Sequence, residues 1–160
     1  MEIRRIKAQD WEIFKSMRLA ALLQNGNQFG QTYEQVKEYS DTRWQEETKK
    51  AAESDELYLV LAFDKDNPIG ITGCVRTPDF GKIFAVWVDP PHRGKSIGRR
   101  LVSAIMDIAG CEVYKLTVVA DNLPAIRTYA NLGFVATGFS YMNDKGFKEI
   151  EMSRSHHAIR

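Results

Sequence analysis

Cysteine is scarce in this chain: Cys74 and Cys111 are the only two, with no metal-ligand spacing and no dense disulfide framework. Free thiols in a reducing cytoplasm are the expectation. Net charge is scarce as well. With 22 basic against 21 acidic residues the formal charge is +1, so the broad basic field of a nucleic-acid binder is absent. Long apolar runs are missing too. The run through Tyr58 to Phe63, which starts at Leu57, falls far short of the ~20 residues of a membrane helix. The start, Met1-Glu-Ile-Arg-Arg-Ile, lacks the apolar segment of a signal peptide. Neither nucleic acid nor a membrane is an expected partner. Repeats, low-complexity tracts and linkers are lacking as well.

What is present fits one domain over residues 1–160, of mixed α/β class, with average apolar (44%) and charged (27%) fractions. A short first strand around Ile3 precedes a helix that Asp10 can cap, with Trp11, Phe14, Met17, Arg18, Leu19 and Leu22 at helical spacing and Gly26 and Gly30 at its end. Thr32 with Gln35 reads as a capping box, and Ser40 or Asp41 starts a helix through Trp44 to Ala52. Leu57 to Phe63 and Ile69 to Arg76 form a hairpin about Asp64-Lys-Asp-Asn-Pro68. The next strand, Lys82 to Val88, carries Ile83, Ala85 and Trp87 opposite Phe84, Val86 and Val88, the pattern of a strand covered on both faces. Pro90 and Pro91 stop it, and a helix starts near Ser96 with Ile97, Leu101, Ile105 and Ile108 as its apolar stripe and Gly110 as its stop. Strand Tyr114 to Val119, helix Leu123 to Asn131 with its stop at Gly133, and a hairpin of Val135 to Met142 and Phe147 to Ser153 complete the order.

Arg93-Gly94-Lys95-Ser96-Ile97-Gly98 lies between a strand and a helix, where backbone N–H groups and a positive helix end can cradle an anion. A nucleotide-triphosphate loop would need glycine where Asp89 stands, and the two glycines do not make G-x-G-x-x-G. A shorter anion loop survives, beside the plainer reading of a basic loop capping a helix.

From Val88 onward the segment resembles the acetyl-coenzyme A loop of the GCN5-related N-acetyltransferases, [Arg or Gln]-x-x-Gly-x-[Gly or Ala] after a strand ending in Val. A second block, Ala120-Asp-Asn122-Leu-Pro-Ala125-Ile-Arg-Thr-Tyr129-Ala-Asn-Leu-Gly133-Phe134, matches the same family. Clear matches run from about Ile83 to Phe139, and Ser96 stands where the family's first glycine is usual. The resemblance implies a central, mostly antiparallel sheet of six to seven strands flanked by four to five helices. It also implies an enzyme that moves the acetyl group of acetyl-coenzyme A to a primary amine, by direct attack with both substrates bound. Backbone groups of Val86, Trp87 and Val88 would pair with the pantetheine arm, and Arg93, Gly94, Lys95, Ser96, Ile97, Gly98 and Arg99 would hold the pyrophosphate. Asn122 would bind the arm near its acetyl end, Tyr129 would face the thioester sulfur, and the Val88 N–H would stabilise the oxyanion. Asn122 as a simple helix cap and Tyr129 as core stay open beside these roles.

The proton-accepting base is not identified. Thr117 occupies a position where some family members carry Glu, while Glu149 and Glu151 read better as solvated or paired. For the acceptor, Phe29, Tyr33, Trp44, Glu34, Glu38 and Asp41 could line a pocket for a cationic amine, although a solvated helix face is the stronger reading. His92 reads as a surface residue beside the loop, and His156-His157 lacks ligand spacing, so no metal is expected. The expected acceptor is a small-molecule amine. Protein or peptide N-termini and a noncatalytic acyl-coenzyme A sensor are alternatives, and exposed apolar edges leave homodimerisation open.

Overall fold

The computed structural model of the chain describes residues 1–25 and 32–155; Gly26, Phe29, Gly30, His156 and His157 lie outside them. Strand β1 (Glu2–Arg5) leads through a 3-10 turn at Ala8–Asp10 into helix α1 (Trp11–Asn25). Asp10 directly precedes α1, but its side chain caps the start of the 3-10 turn and not the first amides of α1. Its carboxylate accepts the Lys7 backbone N–H at 2.7 Å and holds the Arg4 guanidinium at 2.7 and 3.1 Å. Both placements satisfy amides at a helix start, so the sequence pattern admits either. Helix α2 (Tyr33–Val36) has its capping box, with Thr32 Oγ1 accepting the Gln35 N–H at 3.3 Å and Gln35 Oε1 accepting the Thr32 N–H at 3.1 Å. Helix α3 (Asp41–Glu53) is capped by Ser40, whose Oγ accepts the Arg43 N–H at 3.2 Å.

The remaining elements are β2 (Leu57–Asp64), β3 (Asn67–Arg76), β4 (Gly81–Val88), α4 (Ile97–Ala109), β5 (Val113–Val119), α5 (Leu123–Asn131), β6 (Val135–Met142) and β7 (Lys148–Ser155). All strands join one sheet in the order β1-β2-β3-β4-β5-β7-β6, antiparallel except for β4 with β5. This is the mixed, mainly antiparallel seven-stranded sheet with five helices that the resemblance implies. One face packs under α4 and α5 through Val60, Leu101, Ile105, Leu116 and Phe134. The other, over β2 to β4, packs under α1 to α3 through Phe14, Trp44, Leu61 and Trp87.

Two expectations fail in instructive ways. Ile108 is 38% exposed, because the buried arc of α4 is centred between the Leu101/Ile105 and Val102/Met106 rows and leaves Ile108 at its margin. The alternation of β4 also breaks. Gly73 pairs with Phe84 but Ile71 pairs with Trp87, so β4 carries one extra residue, and Ala85 stands at φ 54°. This bulge reverses the faces beyond it. Ile83, Val86 and Val88 therefore share the α4 side while Phe84 and Trp87 share the α1–α3 side.

Candidate functional site

The parallel ladder between β4 and β5 holds only two pairs, Gly81 with Tyr114 and Lys82 with Lys115. Beyond Lys82 the strands part. The Asp89 N–H donates to the Ile69 carbonyl at 2.8 Å, which makes Ile69–Asp89 a bonded pair. Alternation then makes Ile71–Trp87 bonded and Gly70–Val88 unbonded. The backbone groups of Val88, and of Val86 two residues back, thus point away from β3 into the gap left by β5. Trp87 turns its backbone to β3 and its indole to α1, so of the three residues expected along the cofactor arm only Val86 and Val88 face the cleft. The Val88 carbonyl already accepts Arg93 Nε at 2.8 Å.

After Pro90 and Pro91 end pairing, the chain turns on two left-handed residues, Gly94 at φ 81° and Ser96 at φ 63°. Ser96 precedes α4 without a side-chain cap bond. Among the described residues, the amides of Ser96, Ile97, Gly98 and Arg99 donate to no acceptor, which makes a nest of N–H groups at a positive helix end. A Cβ on Gly98 would lie 3.9 Å from Val88 Cγ2 and 4.0 Å from Val86 Cγ1. The first turn of α4 therefore stacks on the end of β4, and its free amides border the cleft. Lys95 and Arg99 are exposed there. The Arg93 side chain instead folds back: its Nη2 donates to Gln24 Oε1 at 3.0 Å, which also accepts Trp87 Nε1 at 3.1 Å. Nothing in the sequence pattern marks this clip between α1 and β4.

Asn122 caps α5, its Oδ1 accepting the Ala125 N–H at 3.3 Å. One face of α5 joins the core that also receives Val86 and Val88, with Tyr129 edge-on to Phe134 at 6.1 Å. Tyr129 is 8% exposed and burial pushes its phenol up to about 12. Its hydroxyl has no hydrogen-bond partner among the described residues. The carboxylates of β7 are paired as expected: Thr117 Oγ1 donates to Glu149 Oε1 at 3.2 Å, Asn143 Nδ2 to Glu149 Oε2 at 3.1 Å and Thr137 Oγ1 to Glu151 Oε1 at 2.8 Å.

Of the candidates for an acceptor pocket, Glu34, Glu38 and Asp41 are exposed, with Glu34 paired to Lys37 at 2.6 Å and Asp41 to Lys15 at 3.2 Å. They form the solvated face. Trp44 instead lines a cavity of about 310 Å³ between α1, α3 and the sheet, with Arg18, Glu47, Phe84 and Ala85. The sequence hint to it was Arg18, a charged residue at an apolar helical spacing. His92 is partly buried between Asp64 and Asp89, 3.8 and 3.5 Å away. Among the described residues, no three His, Cys, Asp or Glu side chains gather as metal ligands, and no helix is long and apolar enough to cross a membrane. Cys74 and Cys111 are free thiols.

Comparison with known proteins points one way. The model of the Acetyltransferase (GNAT) family matches residues 19–134. The chain is 39% identical over 70 residues to the N-alpha-acetyltransferase RimI of Mycobacterium tuberculosis, covering 43% of this chain and 44% of that protein. It is 36% identical over 91 residues to the mycothiol acetyltransferase of Gordonia bronchialis, covering 52% of this chain and 30% of that one. The matches thus span less than half the length of these curated relatives. The fold is similar to that of the PaiA N-acetyltransferase of Thermoplasma acidophilum, solved in complex with coenzyme A, at a TM-score of 0.72 and 17% identity over 96% of this chain and 98% of that one.

Proposed function

Because this chain belongs to the acetyltransferase (GNAT) family, we propose that it is an acetyl-coenzyme A dependent N-acetyltransferase acting on the primary amine of a small molecule, both substrates being bound together. One observation carries this: the β4–β5 ladder stops after two pairs, beside a turn whose amides lack acceptors. An extended arm can pair with Val86 and Val88 in that gap while its diphosphate meets Ser96 to Arg99. Lys95 and Arg99 add full positive charge. Asn122, already capping α5, keeps its amide nitrogen for the arm.

In the reaction the neutral amine attacks the thioester carbonyl and the Val88 N–H donates to the developing oxyanion. The leaving sulfur needs a hydrogen bond or a proton. With its phenol pushed up to about 12, Tyr129 stays protonated at any physiological pH. Full transfer to a free thiolate of pKa near 8.5 is uphill by roughly 5 kcal/mol. Tyr129 therefore acts as a hydrogen-bond donor, its proton moving only as the C–S bond breaks.

Release of coenzyme A thiol across a panel of amines, amino acids and short peptides tests the proposal. An acceptor-dependent release supports it; thermal stabilisation by acetyl-coenzyme A without release from any acceptor favours a noncatalytic sensor. Likeness to RimI supports protein N-termini as the second acceptor class, and likeness to a mycothiol acetyltransferase supports the small-molecule reading. The free thiols fit a reducing cytoplasm. The edge strand β6 exposes Val135, Phe139 and Met142, a face suited to a second copy of the chain, which mass measurement in solution would test.

A further inference from the structure

The second half of the sheet holds a carboxylate that the steps above leave unused. On β5 and β7 the pairs Leu116–Met152 and Val118–Ile150 point into the core under α4, so Thr117, Glu149 and Glu151 stand on the opposite face. Among the described residues, none of β5, β6 or β7 belongs to the core under α1–α3, so those helices leave this face open. Glu149 is partly buried there. Its side chain leans from β7 over β5: Oε1 accepts the Thr117 hydroxyl at 3.2 Å and Oε2 the Asn143 amide at 3.1 Å. Both donors are neutral, and each carboxylate oxygen keeps a lone pair for a further donor. Tyr141, opposite Glu149 on β6, brings its hydroxyl to the same pair, with its pKa raised chiefly by burial. Thr117 fixes where the carboxylate acts. The last pair of the β4–β5 ladder joins Lys82 to Lys115. Two residues on, Phe84 and Thr117 are the first side chains of that face beyond the ladder, so Thr117 borders the foot of the gap proposed for the cofactor arm. An arm descending from the amides of α4 past Val88 and Val86 brings its thioester toward that foot, with Glu149 one hydroxyl away.

We propose that Glu149 accepts the proton lost by the attacking nitrogen, with the Thr117 hydroxyl as the relay, a role that rests on the proposed acetyl transfer. As the nitrogen bonds to the acetyl carbon it turns acidic. Its N–H gives the proton to Thr117 Oγ1 while the Thr117 hydroxyl proton passes to Glu149 Oε1. The C–S bond breaks as the Tyr129 proton moves to sulfur, and exchange with solvent returns Tyr129 to its phenol and Glu149 to its carboxylate. The other titratable and charged groups around this carboxylate are Tyr141 of β6, Asp144 of the following turn, Glu151 of β7, Lys115 of β5 and Lys82 of β4. Glu151 is turned to Thr137 and Lys115 lies over the Phe80 ring, which leaves Glu149 as the carboxylate joined to Thr117.

The test follows thiol release from acetyl-coenzyme A at saturating acceptor, with the amine of the panel above that releases most, from about pH 6, above the usual carboxylate range, to about pH 10. Glu149→Gln keeps the side-chain shape and should lower kcat roughly tenfold or more near neutral pH, with KM for acetyl-coenzyme A and the melting temperature nearly unchanged. The deficit should shrink as pH rises, because hydroxide replaces the missing proton acceptor. Thr117→Val should show the same deficit and the same pH trend, Thr117→Ser should restore most of the rate and Glu149→Asp part of it. Glu151→Gln should leave kcat and its pH profile as in the wild type. Full kcat in Glu149→Gln, a deficit that stays constant with pH, or an equal deficit in Glu151→Gln overturns the proposal while acetyl transfer stands. Absence of acceptor-dependent release throughout the panel sinks the enzymatic reading itself, and this role with it.

Discussion

On the α4 side of β4 the features proposed to bind the cofactor belong to the backbone: two strand residues facing an open gap and a turn of unbonded amides. On the α1–α3 side a cavity is lined by side chains, Arg18, Trp44 and Phe84 among them, delivered by separate elements. The difference teaches where sequence motifs arise. A backbone cradle constrains residues close together in the chain, because glycine, proline and left-handed turns must fall at set positions. A side-chain pocket draws its members from distant segments and leaves no local pattern.

The largest effect should come from the α4 side. Tyr129→Phe is expected to lower kcat by about 10²-fold or more while acetyl-coenzyme A binding, read by thermal shift, stays unchanged; equal kcat would remove the hydroxyl from the chemistry. The same residue gives a pH signature. Its phenol rises from 10 unfolded to about 12 folded, so the stability it confers is complete below pH 10 and is lost as pH climbs through 12. Denaturant titrations over that window should show the loss in the wild type and a smaller one in Tyr129→Phe.

Next is Gly73→Ala, which puts a Cβ 2.5 Å from Phe84 Cζ and 2.8 Å from Leu59 Cδ2. Overpacking of this kind costs about 1–3 kcal/mol. Since both neighbours line the cavity, the melting temperature should fall by several degrees with little change in KM for acetyl-coenzyme A. A parallel loss of cofactor affinity would erase the distinction between the two sides. Ser96→Gly tests the cradle more gently. Ser96 holds φ 63°, a conformation that costs a residue with a Cβ about 1 kcal/mol relative to glycine, so the melting temperature should rise by a few degrees and cofactor affinity should not fall. Smallest is Gln24→Ala. It removes the acceptor shared by Arg93 and Trp87, an exposed contact worth about 1 kcal/mol or less, and should shift both KM values slightly in the same direction.

Much of the fold could be read from the chain because caps and stops are local: Thr32 with Gln35, Ser40, Gly110 and Gly133 all act where their residue types imply. The turn of unbonded amides before α4 was legible for the same reason, and Asn122 does cap α5. The bulge was not, because alanine at φ 54° carries none of the glycine signal that usually marks it, and its reversal of faces followed unseen. Arg93 gives the same lesson. Its place in a motif implied an anion contact, while its partners, Val88 and Gln24, come from β4 and from α1, the latter far off in sequence. The cavity needs Arg18, Trp44 and Ala85 together, and no spacing rule joins them.

The central claim is that the gap between β4 and β5 and the adjoining amides of α4 receive one extended, diphosphate-bearing thioester. Amide chemical shifts of the ¹⁵N-labelled protein, followed as acetyl-coenzyme A is added, address it residue by residue. Large shifts are expected at Val86, Val88 and Ser96 to Arg99, with Trp87 moving less because its N–H is committed to β3. Saturable binding that leaves those amides where they were would contradict it.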